Sequence, residues 1–344
     1  MRRFCVLLLS VLLAACGSQS AVELLELHGE TMGTTWSVSV VVPPRMLTRE
    51  RLVELTGEAL AGVDSRMSTY RDDSELVRFN RSRSTGWFPV SQPTATVVIE
   101  ALRISELSSG AFDPTVGPLV ELWGFAGRPA GELPPAPDAL AAARARVGYR
   151  ALEARTTPPA LRKRRPDLAL DLSGIAKGYA VDVVAEQLVG AGAQHFLVEI
   201  GGELRAAGRN RSGQPWRVAV EQPSLARGRV QSLVALRNEA IATSGSYRNF
   251  AVRGERRFAH IIDPETGAPP SDELVSVSVI APNAMRADGL ATALFALGPA
   301  RGLALAEREG LGVLFLLAGP DGLSERSTAS YEARRLPVAP RGGD

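Results

Sequence analysis

Across residues 167–182 the hydrophobic period of the chain changes from two to about 3.6, and that change constrains the fold more than any other stretch. Leu168, Leu170 and Leu172 alternate as a strand requires, and the run ends at Ser173-Gly174. Ala176, Tyr179, Ala180, Val183, Val184 and Leu188 then recur at helical spacing. A strand feeding straight into a helix brings Asp171 and Lys177 together at the junction. Backbone N–H groups exposed at a helix start suit anions, and the lysine adds a point charge. The same spacing fits an ordinary strand-to-helix corner with a surface lysine equally well, because short glycine turns are weak signals.

Other segments repeat the theme of strands interrupted by single helices. Thr34 to Val42 alternates β-branched and polar residues. Thr48 can cap a helix with apolar positions at Leu52, Leu55, Ala59, Val63 and Met67. A helix beginning near Pro93 is expected to end at Gly110. Residues 111–124 read as a loop by their prolines and glycines, and Asp138 to Val147 as a short helix. Strands follow at His195 to Ile200, Glu203 to Ala207, Trp216 to Glu221, Gln231 to Leu236 and Leu274 to Ile280. A hairpin is expected around Gly254. Asn283 caps a helix that Gly298-Pro299 stops, and a last helix and strand run to Leu317. This order predicts an α+β fold of mixed, largely antiparallel sheets with packed helices. Gly201-Gly202 and Gly208 interrupt strands instead of opening a helix, so a Rossmann fold is not predicted.

The 344-residue chain has a formal charge of +2 and no basic stripe, which argues against a nucleic-acid surface. At the N-terminus Arg2 and Arg3 precede the apolar run Phe4 to Ala15, too short to span a bilayer. Leu13-Ala-Ala-Cys16 resembles the lipobox of bacterial lipoproteins, although a plain secretory signal cleaved nearby is the rival reading. The organisation expected is a signal peptide at 1–15, lipidated Cys16 and a tether at 16–27, a folded domain at 28–318 and a polar tail at 319–344. Cys5, the other of two cysteines, lies in the segment removed. Disulfides and thiol catalysis are thereby excluded from the mature chain.

Two places carry chemistry on their own account. Asp288 and Thr292 are four apart on one helix and share a face, offering the hard oxygen ligands that Mg²⁺ takes. A buried Asp–Thr hydrogen bond explains the pair as well. His260 precedes Ile-Ile-Asp263-Pro-Glu-Thr-Gly267 at a strand end, a place for a general base or equally for a structural histidine. From the residues alone the chain is an exported α+β domain, suited to a Mg²⁺-dependent reaction on a phosphorylated ligand.

Several motifs taken together resemble one family. They are Thr31-Met-Gly-Thr-Thr-Trp36, Met67-Ser-Thr-Tyr70 with Ser74-Glu-Leu76 and Arg78-Phe-Asn80, and Gly110-Ala-Phe-Asp-Pro-Thr-Val-Gly-Pro118. Next come Leu170-Asp-Leu-Ser-Gly-Ile-Ala-Lys-Gly-Tyr-Ala180 and Val198-Glu-Ile-Gly-Gly-Glu203. Ala242-Thr-Ser-Gly245, His260-Ile-Ile-Asp-Pro264 and Ala287-Asp-Gly-Leu-Ala-Thr-Ala293 complete the set. In this order they are similar to the ApbE family of FAD:protein FMN transferases, over roughly residues 28 to 318. Ser246 and Ser173 depart from the acidic residue and the glycine common there.

The resemblance implies an enzyme that cleaves FAD, releases AMP and joins FMN through a phosphoester to a threonine or serine of a target flavoprotein. It implies Mg²⁺ held by Asp288 and Thr292 with the carbonyls of Gly174 and Ala291. It places Met32, Tyr70, Ala111, Phe112, Asp113, Asp171, Lys177 and Ile262 on FAD, and His260 and Asp288 at the reaction centre. Acceptors in such a family include periplasmic subunits of Nqr- and Rnf-type redox complexes, which suits a lipid anchor facing the periplasm, with the inner membrane favoured over the outer. A Mg²⁺-dependent FAD pyrophosphatase and a non-enzymatic FAD-binding lipoprotein are the alternatives.

Overall fold

The computed structural model describes residues 22–43, 45–125, 134–222, 229–246, 250–253, 256–270, 273–320 and 322–338. The signal segment, Cys16 and the turn expected at Gly254 lie outside the described residues. In chain order the first strands are β1 (Glu23–Thr31), β2 (Thr34–Val42), β3 (Phe88–Pro89), β4 (Leu152–Thr156), β5 (Pro159–Lys163), β6 (Phe196–Ile200), β7 (Glu203–Ala207) and β8 (Trp216–Glu221). The rest are β9 (Val230–Leu236), β10 (Glu239–Gly245), β11 (Phe250–Arg253), β12 (Arg256–Ala259), β13 (Leu274–Ala281), β14 (Gly312–Gly319), β15 (Gly322–Ser327) and β16 (Arg335–Leu336). The helices are α1 (Arg49–Met67), α2 (Glu75–Arg81), α3 (Gln92–Leu107), α4 (Gly117–Leu122), α5 (Pro137–Arg144), α6 (Ala176–Gly190), α7 (Ala284–Arg308) and α8 (Ala329–Glu332).

One sheet organises the molecule, in the order β1-β2-β6-β7-β10-β13-β14-β15 with every neighbouring pair antiparallel. Two of its hairpins turn on residues with positive φ. Met32 and Gly33 join β1 to β2 at 47° and 71°, and Gly201 and Gly202 join β6 to β7 at 66° and 105°. Such two-residue turns match the right-handed twist of the strands they connect.

Strand alternation then buries both faces of the sheet. On β14, Val313 and Phe315 enter the main core with the helices, while Leu314 and Leu316 enter a second core. On β10, Ala240 and Ala242 face the first and Ile241 the second. The helical layer holds α1, α3, α6 and α7. The second core is closed by a three-stranded sheet, β16-β9-β8, through Trp216, Val218, Val220, Val234 and Leu236. Tyr331 of α8 is buried there, its hydroxyl 3.1 Å from Ser232 Oγ. Three packed layers of antiparallel strands and helices are the α+β arrangement the sequence predicts.

Four expectations need correction. Residues 23–27, expected as tether, form the first half of β1, where pairing with β2 satisfies their backbone. The tail expected from 319 onward contributes β15, α8 and β16, because Tyr331 and the pairing of Arg335 and Leu336 with β9 tie it down. The loop 111–124 contains α4. Finally, Leu168, Leu170 and Leu172 are buried but join no β ladder. The Asn80 side chain takes the place of a strand partner, donating to Leu170 O at 2.8 Å and accepting from Leu170 N at 2.7 Å. Asp171 N donates to Pro114 O at 2.8 Å.

α6 and α7 grip each other through exchanged carboxylates. Asp182 of α6 accepts from Ala284 N at 3.0 Å and Met285 N at 2.8 Å, in the first turn of α7. Asp288 of α7 accepts from Gly178 N at 2.9 Å, in the first turn of α6. Ile175, at the start of α6, offers no side-chain cap, so Asp288 supplies the acceptor a helix start needs. Gly178 permits the approach: a Cβ there would lie 2.2 Å from Ala284 O. Gly298, at φ 75° and ψ 174°, breaks α7 ahead of Pro299, as the sequence predicts.

Candidate active site

A cleft of about 1510 Å³ opens where this helix pair meets the main sheet. Every predicted FAD, metal and reaction-centre residue except Ala291 lines it. Met32 reaches it from the β1–β2 turn, Tyr70 from the exposed segment after α1, and Ala111, Phe112 and Asp113 from the buried loop before α4. Asp171, Gly174 and Lys177 approach from the α6 junction, Asp288 and Thr292 from α7, and His260 and Ile262 from the segment after β12. Ala291 is fully buried beside Thr292 on α7.

The oxygen donors at the floor converge. Thr292 Oγ1 donates to Gly174 O at 3.4 Å and lies 3.3 Å from Ser244 Oγ on β10. A Cβ at Gly174 would sit 3.1 Å from Thr292 Cγ2 and 3.3 Å from Phe112 Cε2, so the residue type fixes how closely the junction meets α7. With the Asp288 carboxylate one turn away, the set comprises a carboxylate, a hydroxyl and a backbone carbonyl. These are hard oxygen ligands, too few to enclose an ion, which suits Mg²⁺ with substrate oxygens and water completing its shell. Among the described residues no group of three His, Cys, Asp or Glu side chains forms a fuller cage.

The ApbE family model matches residues 32–315. The chain belongs to the ApbE family. A Vibrio cholerae protein named FAD:protein FMN transferase is 44% identical over 334 residues, 96% of this chain and 98% of its own length. The apo Pseudomonas stutzeri flavinyl transferase ApbE superposes with a TM-score of 0.83 at 38% identity, covering 91% of this chain and 97% of that one. A Vibrio cholerae flavin transferase ApbE in which one histidine is replaced by glycine superposes at 0.83 with 43% identity, covering 91% and 99%.

Within this ApbE-family cleft the predicted residues divide by what they touch. Asp113 is occupied in holding its loop: Oδ1 accepts from Thr115 N and Oγ1 at 2.8 and 2.6 Å, and Oδ2 from Tyr149 N at 2.9 Å. Burial nevertheless raises its pKa, against those hydrogen bonds. Asp171 Oδ1 accepts from Ser173 N at 2.9 Å and shapes the turn into α6. His260 packs edge-on to Phe125, ring centres 6.3 Å apart. Trp123 belongs to the core: it is buried with Nε1 donating to Gly267 O at 2.8 Å.

Glu203 belongs to the site although its place in the sequence does not single it out. It opens β7 directly after Gly201-Gly202, is almost wholly buried, and meets Lys177 Nζ at 2.6 Å through Oε1. Burial pushes its pKa up to about 8, with the Lys177 charge opposing and Asp288 adding to the rise. Asp288 is raised too, by burial, against the pull of Lys177. Glu203 stood within a quoted motif, but a carboxylate at the head of a strand gives no sign of pointing inward. Ser244 was hidden likewise, since its reach to Thr292 depends on β10 crossing beneath α7.

Proposed function

We propose that this protein cleaves FAD at its pyrophosphate and transfers FMN to a threonine or serine of an exported flavoprotein, releasing AMP. The observation carrying this reading is the convergence of Asp288, Thr292 and Gly174 oxygens with Lys177 and His260 in one cleft of an ApbE-family fold. In the reaction the acceptor hydroxyl oxygen forms a bond to the FMN phosphorus as the bond to the AMP oxygen breaks. His260 takes the hydroxyl proton, and AMP departs with the bridging oxygen. Of three histidines, His28, His195 and His260, the last lines the cleft, and a relative was solved with one histidine replaced by glycine.

The chain's own groups do three things for such a reaction. Lys177 places a cation at the α6 N-terminus, where backbone N–H groups add positive potential for a phosphate. Tyr70, exposed at the rim, offers a face on which a flat ring can stack. Phe112 and Ile262 give the cleft apolar walls that exclude water from competing as nucleophile. Asp288, Thr292 and the carbonyls of Gly174 and Ala291 would hold Mg²⁺, which neutralises pyrophosphate charge and orients it for in-line attack. A lipid anchor at Cys16, facing the periplasm and more in keeping with the inner than the outer membrane, would hold the enzyme beside membrane-bound acceptors such as Nqr- or Rnf-type subunits.

Incubating the protein with FAD, Mg²⁺ and such a subunit tests the reading. An FMN-sized mass gain on the acceptor, with AMP released, is the expected result. FMN and AMP without that gain would make the protein a pyrophosphatase, and unchanged FAD that stays bound would make it a flavin carrier. His260→Ala is expected to leave FAD binding intact and slow transfer at least about 100-fold, within the range of general-base catalysis. Transfer at the wild-type rate would remove His260 from the mechanism.

A further inference from the structure

Lys177 is in the field of two buried carboxylates, and only one of them belongs to the proposed metal site. Its ammonium meets Glu203 Oε1 at 2.6 Å, and Asp288 lines the same cleft, bound to the backbone of the very next residue, Gly178. Asp288 has one backbone donor, Gly178 N. Glu203 Oε2 is shut off from solvent and has no hydrogen-bond partner among the described residues, so nothing but Lys177 compensates this carboxylate strongly. The geometry is built for that contact. Gly201, at φ 66°, lacks a side chain where a Cβ would lie 3.3 Å from both Glu203 Oε2 and Lys177 Cδ. The Gly-Gly turn thus does more than reverse the chain: it makes room for the lysine stem to reach the carboxylate.

A half-exposed cation near two buried carboxylates pairs with whichever is held closer, and a lysine on a flexible stem can change partners. We propose that Glu203 is a positioning residue: it holds Lys177 off Asp288, so that Asp288 stays available to Mg²⁺ and the ammonium faces the FAD phosphates. The inference rests on the transferase reading for the identity of both ligands. Without the Glu203 charge, Lys177 turns to Asp288, and cation and lysine then compete for one carboxylate.

The test is FAD binding by the full chain at about pH 9, above the value of about 8 at which Glu203 titrates in the fold, so that its carboxylate is charged; binding is followed by quenching of flavin fluorescence at a series of Mg²⁺ concentrations. Glu203→Gln is expected to raise the Mg²⁺ concentration for half-maximal binding about tenfold, within the range of coupling seen between contacting charges. In a Lys177→Met background the same substitution should change it less than about twofold, because the competitor is gone. An equal shift in both backgrounds, or no shift in either, overturns the inference; a purely structural role would produce the former. Should Glu203→Gln not fold, Glu203→Asp retains the charge and withdraws it by one methylene, and must show a smaller shift that again vanishes with Lys177→Met. Failure of the wild type to bind FAD also overturns it. Wild-type protein that binds FAD but modifies no acceptor fails the transferase reading instead, while the coupling is still decided by the two backgrounds.

Discussion

Asp182 and Asp288 occupy equivalent places in one helix pair, and their surroundings separate structure from chemistry. Each is buried, and each caps the first turn of the other's helix. Asp182 accepts two backbone N–H groups and pairs with Arg205 at 3.0 Å, so its charge is matched on the spot. Asp288 accepts one N–H, lies on the cleft wall, and shares the influence of Lys177 with Glu203. Burial raises the pKa of both, opposed chiefly by backbone N–H groups at Asp182 and by Lys177 at Asp288. A carboxylate with matched donors is a brace. One with an incomplete set, facing a cleft beside other oxygens, is a ligand in waiting.

The largest expected effects break the pair apart. Asp288→Ala should lower transfer about 1000-fold, the several kcal/mol that a catalytic cation contributes. It should change stability by no more than about 1 kcal/mol, because the lost cap is offset by relief of repulsion with Glu203 and Asp182. Asp182→Ala should do the reverse, costing about 3 kcal/mol through two uncapped N–H groups and a broken buried ion pair. Its FAD binding below the melting temperature should hold. Denaturant melts beside transfer assays check both, and two variants with the same profile would dissolve the distinction.

Next in size is a pH effect whose sign follows from burial. In the unfolded chain Glu203 titrates near 4.5, and in the fold near 8. Between those values the folded state binds the extra proton, so stability falls as pH rises across that window, opposite to the usual carboxylate. Asp182 and Asp288, both raised, act in the same direction from their ordinary value of 3.8 upward. The melting temperature without Mg²⁺ should therefore decline from pH 5 to pH 8, and Glu203→Gln should flatten the decline. A melting temperature that rises over that range would mean the three carboxylates are better compensated than their contacts indicate.

These carboxylates also show where sequence reasoning reaches its limit. The helix period located Asp288 and Thr292 on one face, and motif order gathered Met32, Tyr70, Asp171, Lys177 and His260 before any fold was in view. Local patterns carry such information because capping, turns and alternation are local physics. Asp182, Glu203 and Ser244 are different: each matters through a partner more than 20 residues away, Ala284, Lys177 and Thr292 respectively. The error at residues 168–172 has the same origin. Leucines at every second position specify burial of one side of an extended segment, yet whether another strand or the Asn80 side chain pairs with its backbone is settled by packing.

Ser244 gives the finest test of whether the Asp288 side of the comparison is tuned by its neighbours. Its Oγ lies 3.3 Å from Thr292 Oγ1, and the next residue back, Thr243, is engaged elsewhere with Ser278 at 2.8 Å. If Thr292 Oγ1 donates to Gly174 O, the Ser244 hydroxyl donates to Thr292 and fixes which lone pair remains for a cation. Ser244→Ala removes that guidance and leaves every proposed ligand in place. The expected loss is about three- to tenfold in transfer, comparable to about 1 kcal/mol for one hydrogen bond, with a larger fraction recovered as Mg²⁺ is raised. Thr243→Ala, its partner Ser278 lying away from the cleft, should leave the Mg²⁺ dependence unchanged. If the two alanine variants respond alike to Mg²⁺, Thr292 is oriented by its own helix alone.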